Sequence, residues 1–226
     1  RVSAIMTELK IGNQERILSY TPLAHIAALV ADFFGQIYSG YTIYFTEHIE
    51  ERLTDREKFK EVFPQVLRQA QVTVFFGAPL VWESFRIDIN KRLGKYPFLS
   101  ILGKHEWGNK LITKLVKSKL FPCARVFISA ADQIKERELA FFEKLKISID
   151  DIYGQTETGG PILINGKPIG NVKIKIERWS KEITIEGRCV MLSYYRNPEA
   201  TAKHLQEITI NGKIKKIYRS GDLGKE

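Results

Sequence analysis

The chain has 226 residues, 44% of them hydrophobic, which is enough for a sizeable buried core and for one or two domains. Lys and Arg outnumber Asp and Glu 35 to 26, and the resulting charge of +9 suits polyanions such as ATP and CoA, nucleic acid, or an anionic membrane surface. Cys123 and Cys189 lack metal-ligand spacing and read as reduced thiols of a cytosolic protein, and His48, His105 and His204 stand apart from both and from one another, so no zinc site is indicated.

No apolar run reaches the length of a membrane span; the best, Ile26 to Tyr38, is short and interrupted by Asp32. The basic residues are scattered, and the local clusters Lys110 to Lys119 and Lys213 to Arg219 read as solvated faces. With no nucleic-acid motif, no nucleic-acid partner is expected, while peripheral contact with a membrane surface stays open.

In chain order, Leu23 to Tyr38 reads as a helix and Tyr41 to Phe45 as a strand. Glu47 to Lys60 is charged and reads as loop with a short helix. Pro64 would break a helix interior, which places it in the first turn of a helix through about Gln71. The strand Val72 to Phe76 leads through Gly77-Ala78-Pro79 into a helix from Leu80 to about Arg92, with proline suited to the corner. Trp82 reads as core by its bulk.

Leu93 to Lys104 is a surface connection, Asn109 to Lys119 a helix, and Arg125 to Ser129 a strand. Leu139, Phe142 and Leu145 recur at helical spacing, so Lys135 to Lys146 is an amphipathic helix. Lys146 to Asp151 reads as a short strand running into a turn at Gly154. From Gly160 onward strands dominate: an alternating one before Glu177, then Lys181 to Glu186 with Ile183 and Ile185 on one face, and a hairpin of 208–210 with 214–218 around Asn211-Gly212. The pattern predicts an α/β class, a layered α/β portion over 1–159 followed by a β-rich subdomain over 160–226.

Chemistry concentrates in Ile152-Tyr153-Gly154-Gln155-Thr156-Glu157-Thr158-Gly159-Gly160 and in Tyr218-Arg219-Ser220-Gly221-Asp222-Leu223-Gly224. Behind a strand, the first segment falls where open α/β sheets bind ligands. Gly154 permits a sharp turn or close approach, Tyr153 offers a flat aromatic face, Thr156 a hydroxyl, and Glu157 a carboxylate suited to a hard cation such as magnesium. Taken singly, each residue also fits a hydrophilic turn capping a strand; the ordered set points to a nucleotide triphosphate site.

This motif pair resembles the signatures of the adenylate-forming superfamily, and the chain is most similar to its long-chain fatty acyl-CoA synthetases. The resemblance extends over Leu18-Ser19-Tyr20-Thr21-Pro22-Leu23-Ala24-His25-Ile26, over Gly77-Ala78-Pro79-Leu80-Val81-Trp82-Glu83, over Arg125 to Asp132 and over Met191 to Thr201. It implies the incomplete large domain of such an enzyme, with Tyr153 stacking on adenine, Ala131 in a small-residue turn packed against adenine, and Gly154 close to the nucleotide. It also implies that Thr156 contacts the α-phosphate, Glu157 holds magnesium, Asp222 binds the ribose hydroxyls, and His25 lies beside the fatty acid carboxylate and acyl-adenylate. The implied activity uses ATP, magnesium and CoA to convert a fatty acid to acyl-adenylate and then acyl-CoA.

Three departures accompany the match. Ala131-Asp132 stands where Ala-Pro is usual, Ser193 where glycine is usual, and Lys181 where glycine commonly precedes Glu-Ile. The resemblance further implies a Ser/Thr/Gly-rich phosphate loop with a lysine and a small C-terminal domain with a catalytic lysine, and neither is found here. An internal fragment or truncated member, inactive alone, is therefore expected. The alternatives are an amino-acid-adenylating domain and a non-catalytic relative that binds nucleotide or a partner. A polyanion-binding module is a weaker one.

Overall fold

The computed structural model describes residues 1–46, 56–95, 105–210 and 213–225. Helix α1 (Val2–Glu8) buries Ile5 and Met6 and leads to strand β1 (Arg16–Ser19). A helical run then crosses over to β2 (Thr42–Phe45), which pairs parallel with β1 from Arg16↔Thr42 to Ser19↔Phe45. The run comprises α2 (Ile26–Ala28), a π-helical stretch (Leu29–Phe34) and α3 (Gly35–Ser39), closed by Gly40 at φ +75°. The sequence predicts one helix from Leu23, whereas Pro22 to His25 stay outside it because His25 itself caps the first turn. Gly35 allows the run to press on its surroundings: a Cβ there would lie 2.2 Å from the Tyr41 hydroxyl and 2.6 Å from Met6.

Helix α4 (Arg56–Gln69) contains Pro64 in its interior, not in its first turn as expected. An interior proline costs about 3 kcal/mol. Burial of Phe63 and Leu67, at about 2 kcal/mol or more each, outweighs that cost and keeps the helix continuous. Of the charged stretch before it, residues 47–55 lie outside the described residues, as do 96–104 of the predicted surface connection.

Strands β3 (Val74–Gly77), β4 (Val126–Ser129) and β5 (Asp150–Gln155) run parallel, joined by helices α5 (Pro79–Gly94), α6 (Glu106–Leu120) and α7 (Glu136–Lys144). β6 (Gly160–Ile164) and β7 (Lys167–Pro168) add antiparallel to this sheet, in the order β3-β4-β5-β6-β7. The β1–β2 pair reaches it through Thr73, whose backbone N–H donates to the Arg16 carbonyl at 2.9 Å.

One face of the sheet buries an aromatic cluster centred on Trp82, which is fully buried and meets Phe75 and Phe142 edge to face. Its indole N–H donates to the carbonyls of Gly77 at 3.1 Å and Ile128 at 3.3 Å, so Trp82 serves as core and as a tie between α5 and β4. The opposite face packs on α1 and on Val30 of the π-helical stretch.

The expected strand Lys146 to Asp151 is displaced toward the C-terminus. Lys146 turns the chain at φ +53°, and β5 begins at Asp150 and continues through Gly154 to Gln155, with a register shift against β6 between Tyr153 and Gly154. The reason is pairing: a Cβ on Gly154 would sit 2.3 Å from the Gly160 carbonyl oxygen, so the missing side chain admits β6 alongside. The turn falls later, at Gly159 and Gly160, both at positive φ.

A second sheet holds β8 (Val172–Ile176), β9 (Glu182–Gly187), β10 (Leu205–Ile210) and β11 (Lys213–Leu223), antiparallel in the order β10-β11-β9-β8. Helix α8 (Pro198–His204) precedes β10; Asn197 caps it by accepting the Ala200 N–H at 3.0 Å. Ile183 and Ile185 are buried, as their alternation predicts, and they pack with Ile162 of β6 and Tyr218 of β11. Residues 211–212 of the expected hairpin turn lie outside the described residues, while its arms pair from Leu205↔Tyr218 to Ile210↔Lys213. The molecule is a mixed α/β fold.

Candidate functional site

Because β3, β4 and β5 run parallel, their carboxyl ends open on one side of the sheet. β4 is in register with β5 only from Ile128↔Asp150 to Ser129↔Asp151, so Ile152–Gln155 extends past it. The next residues, Thr156–Thr158, form a single 3₁₀ turn. The Thr158 hydroxyl, buried, accepts the Gln155 N–H at 3.1 Å and lies 2.8 Å from the Gly160 carbonyl, which holds that turn against the head of β6.

The end of β11 comes to the same place. Its register against β9 shifts between Arg219 and Leu223, with Gly221 at φ +78°, so the strand bulges. The bulge is pinned: the Ser220 hydroxyl donates to the Ile183 carbonyl at 2.8 Å and accepts the Asp222 N–H at 3.1 Å, while Glu182 accepts the Gly221 N–H at 3.1 Å. A hydrogen bond from the Arg219 guanidinium lowers the Glu182 pKa, which keeps that anchor ionised.

Asp222 is thereby aimed at β5. Its Oδ2 accepts the Tyr153 hydroxyl at 2.8 Å and the Gln155 side-chain amide at 2.7 Å. The Tyr218 hydroxyl donates to Gln155 Oε1 at 2.6 Å, completing a chain from Tyr218 through Gln155 to Asp222. Beside it, Glu157 accepts the Tyr194 hydroxyl at 2.8 Å, and its carbonyl accepts the Met191 N–H at 2.8 Å.

Burial is the first cause that raises the pKa of Tyr153, Tyr218 and Tyr194, and the carboxylates of Asp222 and Glu157 add to it. All three phenols therefore remain protonated donors, Tyr153 and Tyr194 to carboxylates and Tyr218 to the Gln155 amide oxygen. Such an arrangement can exchange its internal donors for ligand hydroxyl groups without leaving a carboxylate unpaired.

Of the residues singled out from sequence, the structure brings Tyr153 and Asp222 together directly, packs Gly154 against the backbone of β6, and sets Thr156 and Glu157 on the adjoining turn. Thr156 is exposed and Glu157 half-buried. Ala131 follows β4 at this same end of the sheet, exposed and at φ +81°, a left-handed conformation unusual for a residue with a Cβ.

His25 is exposed at the start of α2, where its Nδ1 accepts the Ala27 N–H at 3.2 Å. The helical run that it begins packs against the head of β6, where a Cβ on Gly160 would meet Val30 at 2.8 Å and Ile26 at 3.9 Å, while the side-chain hydrogen bond of His25 itself is that local cap. Three participants carry no assigned role in the sequence reading, namely Gln155, Tyr218 and Tyr194. Gln155 and Tyr218 lie inside the two signature segments, and Tyr194 lies in the Met191 to Thr201 stretch, so their positions were visible while their partners were not.

Residues 1–195 match the family model described as AMP-binding enzyme. The chain belongs to this family. It is 27% identical to the long-chain-fatty-acid–CoA ligase ACSBG2 of Mus musculus, with 95% of this chain and 36% of the relative aligned. It is 26% identical to the long-chain-fatty-acid–CoA ligase heimdall of Drosophila melanogaster, over 98% of this chain and 36% of that protein. The chain thus spans about a third of the length of the curated relatives it matches.

Among solved structures, O-succinylbenzoate coenzyme A synthetase (MenE) from Bacillus subtilis in complex with AMP superposes with a TM-score of 0.67 at 21% identity, covering 99% of this chain and 41% of that one. The adenylation domain of a keto acid-selecting NRPS module bound to keto acyl adenylate gives 0.67 at 14% identity, with 98% and 47% covered. These show the fold to be part of the large domain of adenylate-forming enzymes. Asp222 lies beyond the segment matched by the family model, so its place at the site stands on the hydrogen bonds above.

Proposed function

We propose that this chain provides the nucleotide and acyl-adenylate site of an ATP-dependent fatty acid–CoA ligase. The observation that carries this reading is the convergence of Tyr153 and Gln155 on Asp222 Oδ2, from segments 69 and 67 residues apart in sequence. Family membership and the ligase names of the relatives support it.

The residues present fit the ligands in donor chemistry. Asp222 already accepts an O–H and an N–H, and a ribose diol offers donors of the same kind. Among the described residues there is no cluster of three or more His, Cys, Asp or Glu, and Glu157 alone with substrate phosphates suits magnesium, which is commonly held by one or two carboxylates. When bound, magnesium neutralises phosphate charge.

In the proposed assignment Asp222 holds the ribose, Tyr153 presents its ring to adenine beside Ala131 and Gly154, and the Thr156 hydroxyl donates to the α-phosphate. Glu157 orients the metal, and His25 donates a hydrogen bond to the fatty acid carboxylate. These contacts hold a weak carboxylate nucleophile in line with the α-phosphorus. Its oxygen bonds to phosphorus as pyrophosphate leaves; the CoA thiol then forms the thioester as AMP leaves.

Calorimetric titration with magnesium ATP, and separately with a non-hydrolysable acyl-adenylate analogue, tests the reading. Saturable binding weakened at least tenfold by Asp222→Ala and by Tyr153→Ala is expected, since a hydrogen bond to a charged group contributes about 1.5–3 kcal/mol. A folded chain that binds neither compound refutes it. The alternative of binding without turnover is excluded if the chain releases pyrophosphate with ATP, magnesium and fatty acid.

A further inference from the structure

We infer that the outward face of helix α6 is a docking surface for an anionic phospholipid bilayer, through an apolar row that enters the lipid interface and a lysine row that meets the phosphates. This inference is independent of the adenylate site.

Helix α6 is apolar on two sides. Gly108, Ile112, Val116 and Leu120 face the core, as one apolar stripe requires. Yet Trp107, Leu111 and Leu115 also recur every four residues, and they are 63%, 53% and 45% exposed. Among the described residues this second row faces outward, with the Trp107 ring stacked on His105. Beside it run Lys110, Lys114 and Lys117, at spacings of four and three that keep them on one strip of the helix.

The lysine strip borders a groove of 660 Å³ that Lys146 and Thr113 also line. The Thr113 hydroxyl is buried there with no hydrogen-bond partner among the described residues. One acidic residue joins the lining, Glu106, and it is paired to Lys110 at 2.9 Å on the solvent side. The groove therefore keeps a surplus of cationic donors and one unused hydroxyl, which is the chemistry of a phosphodiester headgroup.

The juxtaposition selects the occupant. Tryptophan and leucine beside lysines on one helix face is the composition of helices that lie in a membrane interface, with lysine stems extended along the apolar surface. Nucleic acid would pair with the lysines but leave the Trp107 row in water. A second copy would bring one chain of charge +9 against another. No helix among the described residues is long and apolar enough to cross a membrane, so the contact is interfacial.

The test is co-sedimentation of the full chain with phosphatidylcholine vesicles, with and without a minority of phosphatidylserine, at low and high salt. Binding is expected to the anionic vesicles only and to weaken in salt. Lys110→Gln/Lys114→Gln/Lys117→Gln, and separately Leu111→Ser/Leu115→Ser, each reduce it by roughly tenfold or more. Both sets lie on the surface and leave the thermal melt in place. Lys167→Gln/Lys173→Gln/Lys203→Gln, the same charge change on other exposed positions, retains binding. Tryptophan emission shifts to the blue on vesicle addition, and Trp107→Phe abolishes the shift.

Equal binding to neutral vesicles, equal loss in the second lysine set, or full binding by the leucine variant overturns the proposal. So does a complex with duplex DNA, or a dimer, that the α6 lysine variant disrupts while vesicle binding is absent.

Discussion

Asp32→Asn should stabilise the protein at neutral pH and leave it unchanged in acid. Asp32 is buried in the π-helical stretch that follows His25, where its Oδ2 accepts the Ser19 hydroxyl at 2.7 Å. Burial raises its pKa from 3.8 to about 6, with the Ser19 hydrogen bond opposing. The folded state therefore holds this proton more tightly than the unfolded chain does. Stability from this group is greatest below pH 3.8, falls as pH rises through about 6, and is level above that.

The interval between 3.8 and about 6 corresponds to about 3 kcal/mol of destabilisation at pH 8. Asparagine carries no charge and keeps an oxygen to accept the Ser19 hydroxyl, so it removes most of that cost. The expected gain at pH 8 is about 2–3 kcal/mol, or roughly 4–12 °C in Tm for a chain of this size. Urea melts of both proteins from pH 4 to pH 8 measure it. A difference that stays constant with pH, or a variant less stable at pH 8, would refute the reasoning, since either means that the carboxylate is not what burial penalises.

Three further substitutions examine the frame of the site. Gly154→Ala places a Cβ 2.3 Å from the Gly160 carbonyl and 2.6 Å from the Pro161 Cα, backbone atoms that cannot rotate away; it should cost about 3 kcal/mol and weaken nucleotide binding together with stability, as read by melts and calorimetry. Trp82→Ala removes the largest fully buried side chain, and denaturant titration should show a loss of about 3–5 kcal/mol. Pro64→Ala returns a missing N–H to the interior of α4 and should raise stability by about 1–3 kcal/mol; an unchanged or lower midpoint would mean that the proline geometry is itself required there.

Much of the frame was legible because local patterns and tertiary packing agree. The alternation of strand and helix from Val74 to Lys144, the corner at Pro79 and the buried pair Ile183 and Ile185 all express one periodicity and one buried face. Pro64 was misread because its local penalty is smaller than the burial of Phe63 and Leu67, which only the packed helix reveals. The lysines at 110–119 looked like an ordinary solvated face because the exposure of Trp107, Leu111 and Leu115 beside them is a property of the packed molecule.

By itself the amino-acid sequence determined which groups the candidate site can offer: the aromatic, carboxylate and hydroxyl groups of Tyr153 to Thr158 and of Tyr218 to Asp222, whose order resembles the family signature. Tertiary structure decided their use. A strand that passes through Gly154 rather than turning there, and a bulge at Gly221 held by Glu182 and Ser220, bring residues 69 apart within hydrogen-bond distance. Gln155 and Tyr218 acquire partners from that contact, and Tyr194 from the turn that sets Glu157 beside it, because a hydrogen bond depends on where two groups meet and a sequence records only which groups exist.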